Sequence, residues 1–497
     1  MAALKLASDV LFAAAFAALL GAPLARRLAT GEDDPSAAAE RRQPAPYPEL
    51  RLEEDALAQF PAAYERWLAD SFNYRGTLIR WHNALKLLGL GVAPTPKVLV
   101  GRDGWLFLRG ERALDCWRGI DPFTEEELET WRRVLEARRD WCAAREIEYR
   151  FFVPPNKHTV YPEQLPAWVT RVNSRTRLDQ LVRHMRERSD LRVLDAREAL
   201  AAARGRGLLY YPHGTHWNDR GAYVGYRLLL ESLRDRFPAL EPVPLEQFRE
   251  VPMGELDPAW TGDTWATQLH LADLLRQEAM VYEPLQPRRS APDLATVQWA
   301  RSGVADGVVR NVDPTLPRLV LFRDSFADLL WPYLGEHFSH LRTEADLAFS
   351  TELVERERPD AVISERVERA LMAAPPPMPC GPGELAVARR WLASDRELAW
   401  EGSLELPAEL AVEPPPAGRT ALLRVAVESA AGGRLEVRWT RRGGGGEESF
   451  SRALRGGWQW FFVSADDADH GEPLRLSVQG PARIRTLQVR AAPAALP

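Results

Sequence analysis

Apolar positions along the chain change period twice, and each change marks a different kind of structure. From Leu57 to Leu90 the apolar residues Phe60, Tyr64, Trp67, Leu68, Phe72, Leu78, Ile79, Leu85 and Leu88 recur at helical spacing, and Pro94 and Pro96 end the run. Val98 to Val100 and Trp105 to Leu108 flank Gly101-Arg-Asp-Gly104, a turn sequence that predicts a hairpin. From Thr124 short apolar runs alternate with helical stretches. A Thr-Glu-Glu-Glu capping box opens a helix to about Arg145, and a strand follows at Tyr149 to Val153. A helix at Arg175 to Arg188, a strand at Arg192 to Asp195 and a helix near Arg197 to Arg204 continue the rhythm. Further strands are predicted near Leu319 and at Ala361 to Ile363. Such alternation predicts an α/β domain, a mostly parallel sheet covered by helices on both faces. Pro238 to Pro317 is looser, with Leu269 to Leu275 as a short helix.

Pro375 to Pro382, PPPMPCGP, reads as a linker, and beyond it the period falls to two. Leu422 to Val427, Leu435 to Trp439, Trp458 to Val463, Leu474 to Val478 and Ile484 to Val489 predict a small C-terminal all-β sandwich, with Gly443 to Gly446 as a hairpin loop. The expected division is 1–29 as a signal peptide or signal anchor, 30–47 as a tether, 48–374 as the α/β domain, 375–382 as the linker and 383–497 as the sandwich. The N-terminal assignment rests on Val10 to Ala25, which carries no charge and is followed by Arg26-Arg27; this length suits a signal sequence or a short anchor and predicts export. The tether is rich in Pro, Ala, Glu and Asp and has no apolar period.

With 497 residues the chain exceeds one ordinary core. Its 64 basic and 70 acidic residues, net charge −6, form no block of one sign, which argues against nucleic acid as a partner. The three cysteines, Cys116, Cys142 and Cys380, have no metal-ligand spacing and allow at most one bridge within the chain. No metal or cofactor is expected.

The candidate chemistry lies in two stretches. In RLVLFRDSFADLLWPYL, from Arg318, Ser325 falls where a strand passes into a predicted helix, a geometry that exposes a hydroxyl at a sheet edge. Taken alone, Ser325 also fits an ordinary helix cap. In YYPHGTHWNDRGAYVGYRLLL, from Tyr210, His216 lies in a turn before a helix capped by Asn218, where it can serve as a general base to a nearby serine. Asn156 and Lys157 follow a strand end, where groups that contact ligands collect in open α/β sheets. Trp217 and Arg323 adjoin the base and the nucleophile, and Trp260 in the looser region has an indole that could pack on a sugar ring; all five are candidate substrate contacts.

From Phe60 to Leu371 the chain resembles the alginate O-acetyltransferase family of SGNH-hydrolase-like periplasmic proteins. The resemblance is carried by LADSFNYRGTLIRWHNALK, KVLVGRDGWLFL, FVPPNKHTVYPEQLP, THWNDRGAY, FRDSF and RPDAVISERVER, in that order. It implies an SGNH-hydrolase-like fold and a Ser-His-Asp triad whose serine and histidine are Ser325 and His216. The aspartate position of the family's Asp-x-His pair holds Gly214, and Asp324 and Asp219 are the nearby substitutes. The implied activity is transfer of acetyl groups to hydroxyls of an exported polysaccharide through a serine ester, with a membrane acyl-transfer protein as the donor's source. An acetylesterase of the same fold, or a non-catalytic scaffold of polysaccharide assembly, is the alternative. The sandwich more distantly resembles carbohydrate-binding jelly rolls, on its strand spacing and the Trp458-Gln-Trp460 pair; a structural or protein-docking sandwich fits the strands equally well.

Overall fold

The computed structural model describes residues 45–252 apart from 52 and 71–74, then 264–275, 280–288 and 307–394. In the last part it describes 400–404, 409–413, 419–441, 446–466, 468, 471–480 and 482–493, with scattered positions between 10 and 21. The anchor and tether, Trp260, and the Gly443 to Gly445 part of the glycine loop fall wholly or largely outside these residues. No described helix is long and apolar enough to cross a membrane.

Strands β1 (Val98–Val100) and β2 (Leu106–Leu108) form the expected antiparallel hairpin. Asp103 in its turn takes a positive φ of 51° and Gly104 one of 79°. The central sheet is built from β3 (Glu148–Val153) and β4 (Val193–Asp195), followed later in the chain by four more strands. A separate antiparallel pair, β5 (Phe248–Pro252) and β6 (Met280–Pro284), intervenes. Then come β7 (Gly307–Arg310), β8 (Arg318–Phe322), β9 (His340–Glu344) and β10 (Ala361–Glu365). The spatial order is β4-β3-β10-β8-β9-β7, with neighbours parallel except β7, which runs antiparallel along β9 at the edge.

Alternation divides each inner strand between two cores. Leu319, Leu321, Ala361, Ile363 and Phe152 face one cluster, where the helix Asp219–Leu233 supplies Ala222, Tyr226, Leu229, Leu230 and Leu233. Val320, Phe322, Val362, Phe151 and Val153 face the other, packed on Leu128, Trp131 and Leu135 of the helix Glu125–Ala143 and on Leu178, Leu181 and Met185 of the helix Arg177–Arg188. Burial on both faces explains why these strands read as continuous apolar runs. The predicted capping box forms, Thr124 accepting from Glu127 N while Glu127 accepts from Thr124 N.

Across 57–90 the described residues form the helices Glu54–Asp70 and Arg75–Ala84, and a wider π turn, Leu85–Gly89, extends the second. Two local expectations change. Among the described residues of the loose region the α-helix is Thr264–Gln268, and Leu269 to Leu275 form turns. After Ser325 there is no long helix but a tight 3-10 turn, Ser325–Leu329, and a four-residue helix, Trp331–Leu334. Pro332 lacks an N–H and its ring crowds the preceding turn, so the chain restarts there.

The C-terminal strands are β11 (Trp400–Leu404), β12 (Glu409–Val412), β13 (Arg419–Ser429), β14 (Gly433–Thr440), β15 (Glu447–Leu454), β16 (Gly457–Ala465), β17 (Leu474–Gln479) and β18 (Ala482–Pro493). They form two antiparallel sheets, β11-β18-β13-β16 and β12-β17-β14-β15. Leu423, Val425, Val427, Leu435, Val437, Leu476 and Leu487 fill the space between them.

The proline-rich segment does not hang free. Its Pro376 carbonyl accepts from Arg138, and Met378 and Cys380 pack on the second core. It leads into the helix Pro382–Ala393, whose Ala388 and Trp391 share a small core with Ala144 of the α/β part and with Leu422, Phe462 and Ala492 of the strands. Arg424, buried, donates to Ala144 O at 3.0 Å and Glu146 Oε1 at 2.6 Å. Its guanidinium also lies 4.9 Å from the Trp460 ring, and Arg358 lies 5.0 Å over Trp458. Both tryptophans of the Trp-Gln-Trp pair thus meet arginines at or near this seam. All three cysteines are free thiols.

Candidate active site

β8 ends at Phe322, and the next three residues turn over the C-terminal edge of the sheet. The loop after β10 crosses beside them and the two are stitched by carboxylates. Asp324 Oδ1 accepts from Phe326 N at 2.9 Å, and Oδ2 accepts from Val367 N at 2.7 Å. Glu365, at the end of β10, accepts from Asp324 N at 2.9 Å. Burial, and the neighbouring Asp324 carboxylate, push the Glu365 carboxyl well above the usual range. One loop further, Glu368 accepts from Asn156 N at 2.9 Å and from Thr159 Oγ1 at 2.6 Å. The ends of β8, β10 and β3 are thereby tied into one rim.

The other half is the 210–217 loop. Tyr210 and Trp217 bridge its base, Asn218 N donates to Leu209 O at 2.9 Å, and Asn218 caps the following helix by accepting from Gly221 N. Lys157 fixes the loop from below: its buried ammonium donates to the carbonyls of Leu106 at 2.6 Å, Tyr211 at 2.9 Å and Pro212 at 3.0 Å, and also to Gly214 O. An ammonium has three N–H groups, so four carbonyls mean at least one shared bond. Trp217 Nε1 donates to Phe326 O at 2.9 Å and locks this loop to the residue after Ser325.

These two scaffolds place His216 Nε2 at 2.8 Å from Ser325 Oγ, both side chains being half-buried. Phe326 packs against the imidazole, ring centroids 5.1 Å apart. The far nitrogen, Nδ1, is met by Thr215 Oγ1 at 3.0 Å. With the proton on Nδ1 donated to Thr215, Nε2 is free to accept the Ser325 proton.

The remaining candidates are distributed as follows. Asp324 does not take the aspartate's place beside the imidazole, because both its oxygens are held by backbone N–H groups, and Asp219 is buried with Oδ1 accepting from Tyr333 at 3.0 Å. Trp217 is a core residue with no exposed ring, which corrects its reading as a substrate contact. Arg323 is likewise buried, paired with Asp328 and bonded to Asp324 O at 3.2 Å. Lys157 is a buried structural cation and presents nothing to a substrate. Asn156 is buried too, but its Nδ2 has no hydrogen-bond partner while Oδ1 accepts from Arg369 at 3.4 Å. Arg369 in turn lies 5.5 Å over the Phe326 ring. Trp260 lies outside the described residues. Sequence reasoning did not single out Thr215, Glu365, Glu368 or Arg369. The signal for the last three was four charged residues crowded at and directly after the end of a fully buried strand, and Thr215 adjoined the histidine.

An α/β sheet whose C-terminal edge pairs a serine with a histidine from a separate loop has the arrangement of a nucleophile beside a general base. Residues 98–296 match the family model of the SGNH hydrolase-like domain of the acetyltransferase AlgX. His216 lies within the matched segment and Ser325 beyond it. No curated protein matches the chain. Among solved structures, it is similar to Bacillus cereus PatB1 with a sulfonyl adduct, at 16% identity over 55% of this chain and 97% of that one, TM-score 0.39. It is also similar to the O-acetyltransferase domain of Pseudomonas putida AlgJ, at 19% identity over 59% and 99%, TM-score 0.37. A third, Pseudomonas aeruginosa AlgX, aligns at 14% identity over 83% and 98%, TM-score 0.34.

Proposed function

We propose that the protein is an exported O-acetyltransferase that moves acetyl groups onto hydroxyls of an exopolysaccharide through an ester on Ser325. The observation that carries this reading is the 2.8 Å contact between Ser325 Oγ and His216 Nε2, in a chain with an acetyltransferase-type domain. In the first half-reaction Oγ attacks the acetyl carbonyl and its proton passes to Nε2. The tetrahedral intermediate then collapses, the donor's leaving group departs with that proton, and acetyl-Ser325 remains. In the second half a sugar hydroxyl gives its proton to Nε2 and attacks the ester, and Oγ leaves and recovers the proton. Thr215 fixes the tautomer that both halves require. The acetyl group would reach the site from a membrane acyl-transfer protein, with the sandwich helping to hold the polymer.

The test is turnover of a chromogenic acetyl ester with and without an oligosaccharide acceptor. Acetylated oligosaccharide formed by the wild type and lost in Ser325→Ala supports transfer. Release of acetate alone, unchanged by any acceptor, assigns the site to an esterase, and turnover that survives Ser325→Ala leaves a scaffold.

A further inference from the structure

The second N-terminal helix has two faces of opposite environment. Asn83 and Leu87 are buried, Asn83 donating to Leu269 O at 3.0 Å, and they fasten the helix Arg75–Ala84 and its π turn to the core around Trp265, Leu269 and Leu271. The opposite face is apolar and exposed: Leu78 is 48%, Trp81 65%, Leu85 64% and Leu88 53% accessible. Leu78 and Trp81 share one face of the α-helix at i, i+3 spacing, and Leu85 and Leu88 continue the apolar row into the π turn. Leu90 and Val92, also exposed, prolong the patch. Isolated exposed leucines need no explanation, but a continuous apolar stripe on a helix well fastened from behind does.

Charge identifies the occupant. From Arg75 to Arg102 the sequence holds the cations Arg75, Arg80, Lys86, Lys97 and Arg102 and not one carboxylate. His82 and Lys86 border the stripe on one side at helical spacing, and Arg80 is paired with Asp273. A basic helix with a leucine and tryptophan face matches a bilayer surface with anionic headgroups, where the rings and leucines enter the acyl boundary and the cations meet phosphates. The chain's start agrees. The apolar run Val10 to Ala25 lies about 50 residues before this helix, so a run inserted in a bilayer would tether the helix to the same membrane.

We propose that the Leu78, Trp81, Leu85 and Leu88 face docks on the surface of an anionic lipid bilayer and sets the domain's orientation there. The test uses the full chain in vesicles of phosphatidylethanolamine and phosphatidylglycerol, with Cys380→Ser and an environment-sensitive fluorophore on Leu85→Cys. A control carries the fluorophore on Glu187→Cys, at an exposed position of the helix Arg177–Arg188. The Leu85 label should shift to the blue and be quenched several-fold by lipids spin-labelled on the acyl chain, and the Glu187 label should do neither. Quenching should weaken in vesicles of phosphatidylcholine alone. A water-like Leu85 spectrum in vesicles overturns the proposal. A blue shift without lipid quenching overturns it too, and gives the face to a second copy or another protein. Equal quenching in uncharged vesicles overturns the anionic requirement. None of these readings depends on ester turnover by Ser325.

Discussion

Lys157→Met tests whether the base is positioned from beneath. Methionine keeps most of the stem's length and volume but removes every N–H, so the carbonyls of Leu106, Tyr211, Pro212 and Gly214 lose a common donor. A hydrogen bond to a charged group contributes about 1.5–3 kcal/mol, and an ammonium has three to give; against this stands the several kcal/mol that burying the charge costs. The net loss should be about 3 kcal/mol, which at about 2–4 °C per kcal/mol for a domain of this size lowers Tm by about 6–12 °C. Calorimetry measures that shift. The same change frees the Gly214 carbonyl two residues before His216, so at temperatures where the variant is folded its kcat for a chromogenic acetyl ester should fall about 10- to 100-fold. A variant with wild-type Tm and wild-type kcat would refute the view that this cation holds the loop.

Further outcomes follow from other residues. Thr215→Val removes the hydroxyl that meets His216 Nδ1 and should lower kcat about tenfold with little change in KM, while Gly214→Asp, which places a carboxylate where the family resemblance implies one, should raise it; steady-state kinetics on both variants check this, and no change in either would dismiss the orienting role. His158 is buried, both ring nitrogens lack partners, and burial lowers its pKa to about 3. Its folded pKa lies below its unfolded value near 6.5, so its contribution to stability is complete above about pH 6.5 and is lost as pH falls toward about 3. From pH 7 to pH 5 the wild type should therefore lose about 2 kcal/mol that His158→Leu does not, read from urea unfolding at both pH values. Arg424→Met should lower Tm by a few degrees, and residues 383–497 expressed alone, without Ala144 and with Arg145 gone from the Phe462 ring, should unfold at a lower midpoint than the full chain; an unchanged midpoint would show the seam to be dispensable.

The inner strands were legible because burial on two faces leaves an unmistakable apolar run, as in Leu319 to Phe322, and the helices because Thr124 and Asn218 cap them within a few residues. β7 and β9 escaped: β7 is a half-exposed antiparallel edge, and β9 alternates His340, Arg342 and Glu344 with its buried residues, so neither shows such a run. Pairing of Ser325 with His216 was anticipated from residue types and order. What surrounds the pair was not, because Lys157, Arg323 and Glu365 are ionisable residues taken inside, and a sequence does not announce whether carbonyls, a counter-ion or a backbone N–H will compensate their burial. The proline segment gave the opposite lesson. Composition marked it as a linker, yet Arg138 and the helix Pro382–Ala393 fasten it down, contacts that depend on residues more than two hundred positions away.

The most direct test of the central claim is to trap the acyl-enzyme. The protein is mixed with a chromogenic acetyl ester, quenched in acid during turnover, digested, and the peptide containing Ser325 is weighed. The account predicts one added acetyl group on Ser325, absent in Ser325→Ala and slow to form in His216→Ala. An acetyl group carried by another residue, or ester turnover that persists undiminished in Ser325→Ala, would contradict it.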